Sequence, residues 1–225
     1  MNFKHVITGD GSKTLYLQSL DETYHSNHGA LQESMHVYIQ SGLQYLIDNK
    51  DVDQLNVFEM GFGTGLNAYL TAYYSRLYQK KVFYTSIEKF PLKESDYRKL
   101  EYFNLIESDP YTAESEKIAQ APWGEQIAIS EFFVLEKIEE DFFNFNRETA
   151  NYDIIYYDAF GHRAQSEMWE LRPFEICCSL LRKGGILVTY ASKGSARRNL
   201  IQSGFEVKKI PGAPGKREMM RAIKV

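Results

Sequence analysis

The most informative part of the sequence is Val57-Phe-Glu-Met-Gly-Phe-Gly-Thr-Gly-Leu-Asn-Ala68. Its first residues form an apolar run, which is typical of a buried parallel strand, and a helical spacing of apolar residues begins at Leu66. Between them, three glycines at alternate positions allow positive φ and let backbone N–H groups approach a ligand closely. The stretch predicts a strand, a ligand-binding loop and a helix, although it also suits a structural turn that packs a helix against a strand.

Two carboxylates near this loop indicate what it binds. Glu59 lies two residues before Gly61, and Glu88 closes the next predicted strand about 20 residues further on, where an acidic residue meets ribose hydroxyls. The glycine spacing departs from the Gly-x-Gly-x-x-Gly of dinucleotide-binding loops, and a carboxylate suits a cationic ligand better than a pyrophosphate. S-adenosylmethionine carries an ammonium, a sulfonium and a ribose diol, and no phosphate. We therefore expect this ligand rather than NAD, although Glu88 also suits a solvated strand end.

Length and composition place the chain among ordinary globular proteins. Its 225 residues are 44% hydrophobic and 25% charged, enough for one large domain with a full core. We predict a single domain over 1–225, with an N-terminal hairpin and loop at 1–30 and the core at 31–225. No apolar run reaches 18 residues and no leader-like segment opens the sequence, so we expect a cytoplasmic protein without a membrane partner. The adjacent Cys177 and Cys178, and the spacing of the histidines, predict no metal site.

Charge is distributed unevenly along the chain. The net charge of −4 argues against strong nonspecific binding to nucleic acid. Residues 176–225, however, hold eleven basic and two acidic side chains, a charge of +9 against −13 in the first 175 residues. This asymmetry predicts a basic face for a polyanion, although basic side chains also solvate exposed helices. The candidates for phosphate contacts are Lys193, Arg197, Arg198, Lys216 and Arg217.

The order of predicted elements indicates the fold class. Residues 3–18 predict a small β-hairpin, and apolar residues from Leu31 to Ile47 follow a helical spacing. Strands and helices then alternate until two final strands meet without a helix between them. This order predicts an α/β, Rossmann-like methyltransferase fold with a mostly parallel, seven-stranded sheet and a C-terminal antiparallel hairpin. After the glycine stretch we predict strands over Val82–Ile87, Gln126–Leu135, Tyr152–Tyr157, Ile186–Tyr190, Phe205–Ile210 and Glu218–Val225, helices over Lys93–Tyr102, Met168–Leu181 and Lys193–Gln202, and a turn with a short helix over Glu136–Phe145.

The predicted strand Tyr152–Tyr157 ends at Asp158. In an open α/β sheet, ligands bind beyond the carboxyl ends of the strands, so this position directs a carboxylate towards the site. Asp158 is therefore the candidate general base, although a strand-end aspartate also caps the helix that follows.

Several stretches resemble one family, the methyltransferase domain of MnmC and its stand-alone relative MnmD, which methylate a modified wobble uridine of tRNA. The resemblance covers most of the chain and includes the glycine stretch. The segment Gly161-His-Arg-Ala-Gln-Ser166 departs from the bifunctional enzymes and leaves local substrate contacts open. The stretches that carry the resemblance besides the glycines are His25-Ser26 through Glu33-Ser34, Glu88-Lys-Phe-Pro-Leu92, Asp158-Ala-Phe160 with Met168-Trp169, Gly194–Gly204 and Lys216-Arg-Glu-Met219.

The resemblance implies that S-adenosylmethionine donates a methyl group to the amine of 5-aminomethyl-2-thiouridine in tRNA. Because the sequence ends at Val225 without an oxidase half, it implies methylation only, with a separate flavin-dependent oxidase as an upstream partner. Phe160, Trp169 and Tyr190 are candidates to stack on a base, although each also suits the core. By resemblance and position, the cofactor residues are Glu59, Gly61, Gly63, Gly65 and Asn67 for the methionine part, Glu88 for the ribose, and Asp141 near the adenine.

Two other functions fit the same sequence features. An aminopropyltransferase of the spermidine-synthase type shares the fold, an acidic site and an attacking amine, but its small substrate gives the basic C-terminal part no purpose. A noncatalytic RNA-binding module would keep the fold and the basic face, but it would not need the glycine loop with Glu59, Glu88 and Asp158.

Overall fold

A computed structural model describes residues 3–102, 112–145 and 150–225. Its N-terminal part is a three-stranded antiparallel sheet in the order β1-β2-β3. The predicted hairpin at residues 3–18 is confirmed, and a two-residue strand extends it. The bounds are β1 Phe3–Ile7, β2 Lys13–Leu17 and β3 Glu22–Thr23.

The segment after this sheet is one helical stretch with an unusual centre. It runs as α1 (Ala30–Ser34), a π-helix (Met35–Gln44) and α2 (Tyr45–Asn49), which confirms the helix predicted there. A π-helix of this length is rare, and π-helical turns are frequent at functional sites. Its buried face packs on the large sheet, and Gly42 allows close approach because a Cβ there would lie 2.8 Å from Ile154 Cδ1.

The main sheet has eight strands in the described residues, in the order β10-β11-β9-β8-β4-β5-β7-β6. The five central strands β9, β8, β4, β5 and β7 run parallel, while β11, β10 and β6 are antiparallel to their neighbours. The predicted fold class is confirmed, including the C-terminal hairpin. The bounds are β4 Gln54–Met60, β5 Lys81–Glu88, β6 Gln126–Ala128, β7 Phe133–Glu139, β8 Tyr152–Tyr157, β9 Leu181–Thr189, β10 Phe205–Pro211 and β11 Glu218–Lys224.

Helices cover both faces of this sheet and create two hydrophobic clusters. One cluster lies under the π-helix and α3 (Leu66–Leu77), and the other lies under α6 (Leu171–Leu180) and α7 (Gly194–Gln202). Two such clusters are expected because the apolar strands are buried on both faces. No helix in the described ranges is long and apolar enough to cross a bilayer. The bounds are α3 Leu66–Leu77, α4 Glu94–Leu100, α5 Thr112–Gln120, α6 Leu171–Leu180 and α7 Gly194–Gln202, with short 3₁₀ helices at Phe142–Asn144 and Ser166–Trp169.

The region from Gln126 to Phe145 differs from the prediction. The single strand predicted over Gln126–Leu135 is the hairpin β6–β7, because the chain reverses at Ser130, whose N–H donates to Phe133 O at 3.2 Å. This hairpin accounts for the eighth strand. β7 then runs to Glu139, so the predicted turn and helix over Glu136–Phe145 shrink to a 3₁₀ helix capped by Asp141. Part of the polar stretch before this hairpin lies outside the described residues.

The carboxyl ends of β4, β5 and β8 meet at one edge of the sheet. Backbone hydrogen bonds continue past the paired strands: Asp158 N–H donates to Met60 O at 3.2 Å and Gly61 N–H to Ile87 O at 3.0 Å. Parallel pairing therefore brings Asp158, the glycine loop and Glu88 together, although they are far apart in the sequence.

Candidate functional site

A cavity of about 420 Å³ opens at this edge, between the glycine loop, the ends of the central strands and the N-terminal sheet. Its charge is strongly unbalanced. Among the described residues that line it, seven are acidic and two are lysines, so the cavity suits a cationic ligand. The acidic residues are Glu22, Glu33, Glu88, Glu140, Asp141, Asp158 and Glu167, and the lysines are Lys89 and Lys216.

The glycine loop is held by Glu88. One carboxylate oxygen of Glu88 accepts the Gly63 N–H at 3.1 Å and the other accepts the Phe90 N–H at 2.9 Å. Gly61 and Gly63 line the cavity with φ of 91° and 51°, a region that favours glycine. Gly65 does not line it; it begins α3, and a Cβ there would lie 3.1 Å from the Phe62 ring.

Asn67 joins two buried carboxyl groups across the floor of the cavity. Its side-chain amide donates to Asp158 Oδ2 at 2.9 Å and to Glu59 Oε1 at 3.1 Å. Tyr38, from the π-helix, donates its hydroxyl to Asp158 Oδ1 at 2.6 Å, and Ser86 donates to Glu59 Oε2 at 2.7 Å. Glu59 is fully buried and does not line the cavity, and Asn67, which does line it, connects Glu59 to the cavity. The contact of Glu59 with the cofactor stays a prediction.

The pKa values of both carboxyl groups are raised. Burial is the largest cause, because a charged carboxylate loses solvation away from water. It raises the pKa of Asp158 to about 7, against the opposing hydrogen bond from Tyr38. It raises the pKa of Glu59 to about 8, against the opposing hydrogen bond from Ser86. A carboxyl group with a pKa near neutrality is suited to exchange protons at physiological pH.

The residue predicted to lie near the adenine and the three aromatic residues predicted to stack on a nucleobase differ in their exposure to the cavity. Asp141 lines the cavity and forms an ion pair with Lys89 at 2.8 Å, which lowers the pKa of Asp141. Phe160 and Tyr190 also line the cavity. Trp169 is only 2% exposed and its indole N–H donates to Phe160 O at 2.9 Å, so it packs in the core and positions Phe160. Trp169 also lines a second cavity beside this one, so its stacking on a base stays a prediction.

A second cavity of about 550 Å³ adjoins the first and has the opposite charge. Its charged lining, in the part of the chain described, consists of Lys193, Lys216, Arg217 and the single carboxylate Glu218. Tyr190, Lys216 and Gly161 line both cavities, so the boundary between them lies there.

The predicted phosphate contacts separate into three groups. Lys193 and Arg217 line the second cavity, as an anion-binding surface requires. Arg197 and Arg198 are exposed on α7 and line neither cavity. Lys216 forms an ion pair with Glu33, and its Nζ lies 3.9 Å from the centre of the Tyr190 ring. Lys216 is therefore held at the boundary between the two cavities.

The sequence did not assign several residues of the site. Tyr38 and Glu33 come from the helical stretch after the N-terminal sheet, and Tyr24 comes from the loop before it. A signal existed for Glu33, because it lies inside the stretch that carries the family resemblance. The sequence contains no such signal for Tyr38, because its place in the apolar helical spacing predicts a core residue. Among the described residues, no group of three or more His, Cys, Asp or Glu side chains is arranged to hold a metal ion.

The chain is similar to known methyltransferases and to MnmC proteins. Residues 125–225 match a family model described as S-adenosyl-L-methionine-dependent methyltransferase. The tRNA 5-methylaminomethyl-2-thiouridine biosynthesis bifunctional protein MnmC of Nitrosospira multiformis is 30% identical over 218 residues, 92% of this chain and 35% of that protein. MnmC of Aliivibrio fischeri is 27% identical over 236 residues, 96% of this chain and 34% of that protein. The chain thus spans about a third of the length of the curated relatives it matches.

Solved structures share the fold of this chain. The crystal structure of MnmC2 from Aquifex aeolicus has a TM-score of 0.75 and 26% identity, and the match covers 98% of this chain and 70% of that one. The CurJ carbon methyltransferase, with a TM-score of 0.53 and 13% identity over 90% of this chain and 56% of that one, shares the fold. Over nearly its whole length the chain is therefore similar to MnmC proteins, and its residues 125–225 match the S-adenosyl-L-methionine-dependent methyltransferase model.

Proposed function

We propose that this chain methylates the primary amine of 5-aminomethyl-2-thiouridine at the wobble position of tRNA. The observation that carries the proposal is the pairing of an acidic cavity, with Asp158 at its floor, and an adjoining basic cavity. A cationic methyl donor suits the first and a polyanionic substrate suits the second. The likeness to MnmC over nearly the whole chain supports the same substrate.

The residues of the acidic cavity fit S-adenosyl-L-methionine. Gly61 and Gly63 leave room where side chains would fill the cradle, and the Asn67 Oδ1 atom is buried with no hydrogen-bond partner in the described residues, so it is available to a donor on the ligand. In the proposed arrangement, Asn67 and the glycine backbone hold the methionine part, with Glu59 and Gly65 acting behind them. Glu88 takes the ribose hydroxyls and Asp141 lies near the adenine.

Methyl transfer to a primary amine requires the amine to be neutral and requires a group that accepts its proton. When bound, S-adenosyl-L-methionine supplies an electrophilic methyl group on a sulfonium. Asp158 accepts a hydrogen bond from the attacking amine, orients its lone pair and takes up the proton released on methyl transfer. Tyr38 and Asn67 fix the two oxygens of Asp158, so its carboxylate is oriented before the substrate binds.

The basic cavity would receive the RNA backbone beside the reacting uridine. Lys193 and Arg217 meet phosphates there, while the exposed Arg197 and Arg198 extend the same charge along α7. Phe160 and Tyr190 lie at the junction, where an unstacked base would enter the acidic cavity. In this scheme the chain acts as one domain over 1–225 in the cytoplasm, and a separate flavin-dependent oxidase supplies the aminomethyl substrate.

Nucleoside analysis by mass spectrometry tests the proposal. Purified protein is incubated with methyl-labelled S-adenosyl-L-methionine and tRNA that carries 5-aminomethyl-2-thiouridine, and we expect this nucleoside to gain one labelled methyl group. Transcribed tRNA without the modification is the matched control and should gain none. Labelling of putrescine with an aminopropyl group from the decarboxylated donor, without labelling of tRNA, would contradict the proposal and favour the aminopropyltransferase.

A further inference from the structure

Lys216 occupies an unexpected place for a phosphate contact. Its ammonium pairs with Glu33, whose side chain is 9% exposed, and it lies over the Tyr190 ring. The loop around it is tight: Lys216 N–H donates to Ala213 O at 2.8 Å, and a Cβ on Gly212 would lie 2.5 Å from Lys216 O. The ammonium is therefore fixed at the boundary through which a substrate in the basic cavity reaches Asp158.

Glu33 and Asp158 both line the acidic cavity, which creates a problem for an amine substrate. An amine bound between two carboxylates is stabilised as its ammonium, and an ammonium has no lone pair to attack a methyl group. One oxygen of Glu33 accepts the Ser26 N–H at 2.8 Å and the other faces the Lys216 ammonium, so Lys216 is a cationic partner of this carboxylate.

We propose that Lys216 is a positioning residue that neutralises Glu33, so that the substrate amine meets Asp158 as its carboxylate partner and reacts in its neutral form. The inference rests on the proposed function and deepens it by assigning the amine selectivity of the site. During transfer the amine nitrogen forms a bond to the methyl carbon, the carbon–sulfur bond breaks with its electron pair moving to sulfur, and the proton passes to Asp158. Lys216 contributes through its charge and forms no bond to the reacting atoms.

The effect of the Lys216 charge on the pKa of Asp158 depends on the other charged and titratable groups around Asp158. Tyr38 from the π-helix and Asn67 from α3 contact its oxygens, while Glu33 from α1, Glu59 from β4 and Tyr190 after β9 lie close enough to interact. Glu33 raises the pKa of Asp158 and Lys216 lowers it. Loss of the Lys216 charge therefore raises the pKa of Asp158 and of a bound amine together. Both changes move the acidic limb of the rate profile to higher pH.

Steady-state kinetics against pH with modified tRNA provides the first test. Lys216→Met should lower kcat at neutral pH by about tenfold, leave KM for tRNA unchanged or lower, and shift the acidic limb of kcat upwards by about one pH unit. Lys216→Arg should keep the wild-type profile, and Glu33→Gln combined with Lys216→Met should restore it. Lys208→Met removes a lysine from an exposed ion pair on β10 and serves as the matched control.

A second readout needs no activity and separates this inference from the proposed function. The Asp158 carboxyl carbon is titrated by NMR in the free protein, and its pKa should rise in Lys216→Met but not in Lys216→Arg or Lys208→Met. A raised KM for tRNA in Lys216→Met, with an unshifted rate profile and an unshifted Asp158 titration, would overturn the proposal and make Lys216 a phosphate contact. Should the wild-type protein leave tRNA unmethylated, the proposed function fails, while the NMR titration still decides the electrostatic role of Lys216.

Discussion

The two cavities of this domain are neighbours of similar volume, yet they are lined by opposite charges. The acidic one is built from strand ends and the glycine loop, which the parallel sheet fixes in place. The basic one is built from the start of α7 and the β10–β11 loop, at the rim of the fold. In the proposed function this difference separates the two ligands by charge: the sulfonium donor binds in the acidic cavity and the polyanion in the basic one, with Tyr190 and Lys216 at their boundary.

The side chains of the two cavities also differ in how firmly they are held. Asp158 and Glu88 each accept a hydrogen bond on both carboxylate oxygens. Lys193 and Arg217, which line the basic cavity, are exposed to solvent. Changes in the acidic cavity should therefore have large effects that depend little on salt, whereas changes at the basic rim should have small effects that depend strongly on it.

The largest effect is expected at Asp158. Asp158→Asn keeps the shape but removes the proton acceptor, so kcat should fall by about 100- to 10,000-fold. Affinity for S-adenosyl-L-methionine, measured by calorimetry, should stay unchanged because the glycine loop and Glu88 are intact. A variant that turned over within about threefold of the wild type would show that Asp158 only positions the substrate.

Glu88→Ala should have the next largest effect, on cofactor binding. It removes the acceptor of the Gly63 and Phe90 N–H groups along with the proposed ribose contact, and we expect affinity for S-adenosyl-L-methionine to fall by about 1.5–3 kcal/mol. Calorimetry measures the loss. Glu167→Gln is the control, because it removes an exposed charge from the same cavity without touching the loop. Equal losses in both variants would attribute binding to the overall charge of the cavity.

Stability should respond to Asp158 in the opposite direction from activity. The folded pKa is about 7 against an ordinary value of 3.8, so the cost of ionising this buried group is absent below the ordinary value and complete above pH 7. Asp158→Asn removes the cost and should raise the free energy of unfolding at about pH 8.5 by about 1–4 kcal/mol. The gain should shrink as the pH falls towards 4. Denaturant unfolding at several pH values measures it, and a gain that does not vary with pH would refute the buried-charge explanation.

The smallest effect is expected for the basic residues around the second cavity. The experiment compares the residues that line this cavity with the arginines of α7. Replacing Lys193 and Arg217 by alanine should weaken tRNA binding and reduce the slope of log affinity against log salt by about two. Replacing Arg197 and Arg198 by alanine changes the net charge equally, but these side chains line neither cavity, so the slope should change less. Binding is measured between low and moderate salt. A larger change for the arginine pair would place the RNA along α7 rather than in the second cavity.

Local sequence determined much of the fold and part of the site. Apolar runs, the glycine loop and the absence of a helix between the last two strands specify a Rossmann-like sheet, because each of these signals lies within one element and its turn. Strand-end positions also pointed to Glu88 and Asp158, since parallel strands deliver their carboxyl ends to one edge. The β6–β7 hairpin was missed because its turn at Ser130 lacks glycine and proline.

Contacts between side chains that are far apart in the sequence depend on how the helices and strands pack. In the folded chain Trp169 and Glu59 are buried, and Glu59 is hydrogen-bonded to Asn67. Tyr38 donates a hydrogen bond to Asp158, which is 120 residues away in the sequence, and Lys216 pairs with Glu33, which is 183 residues away. The spacing of apolar residues predicts which face of a helix or strand is buried, but it does not predict which residues pack against that face. Burial and charge pairing are properties of the packed interior, so the pKa of Asp158 and the opposite charges of the two cavities exist only once the chain has folded.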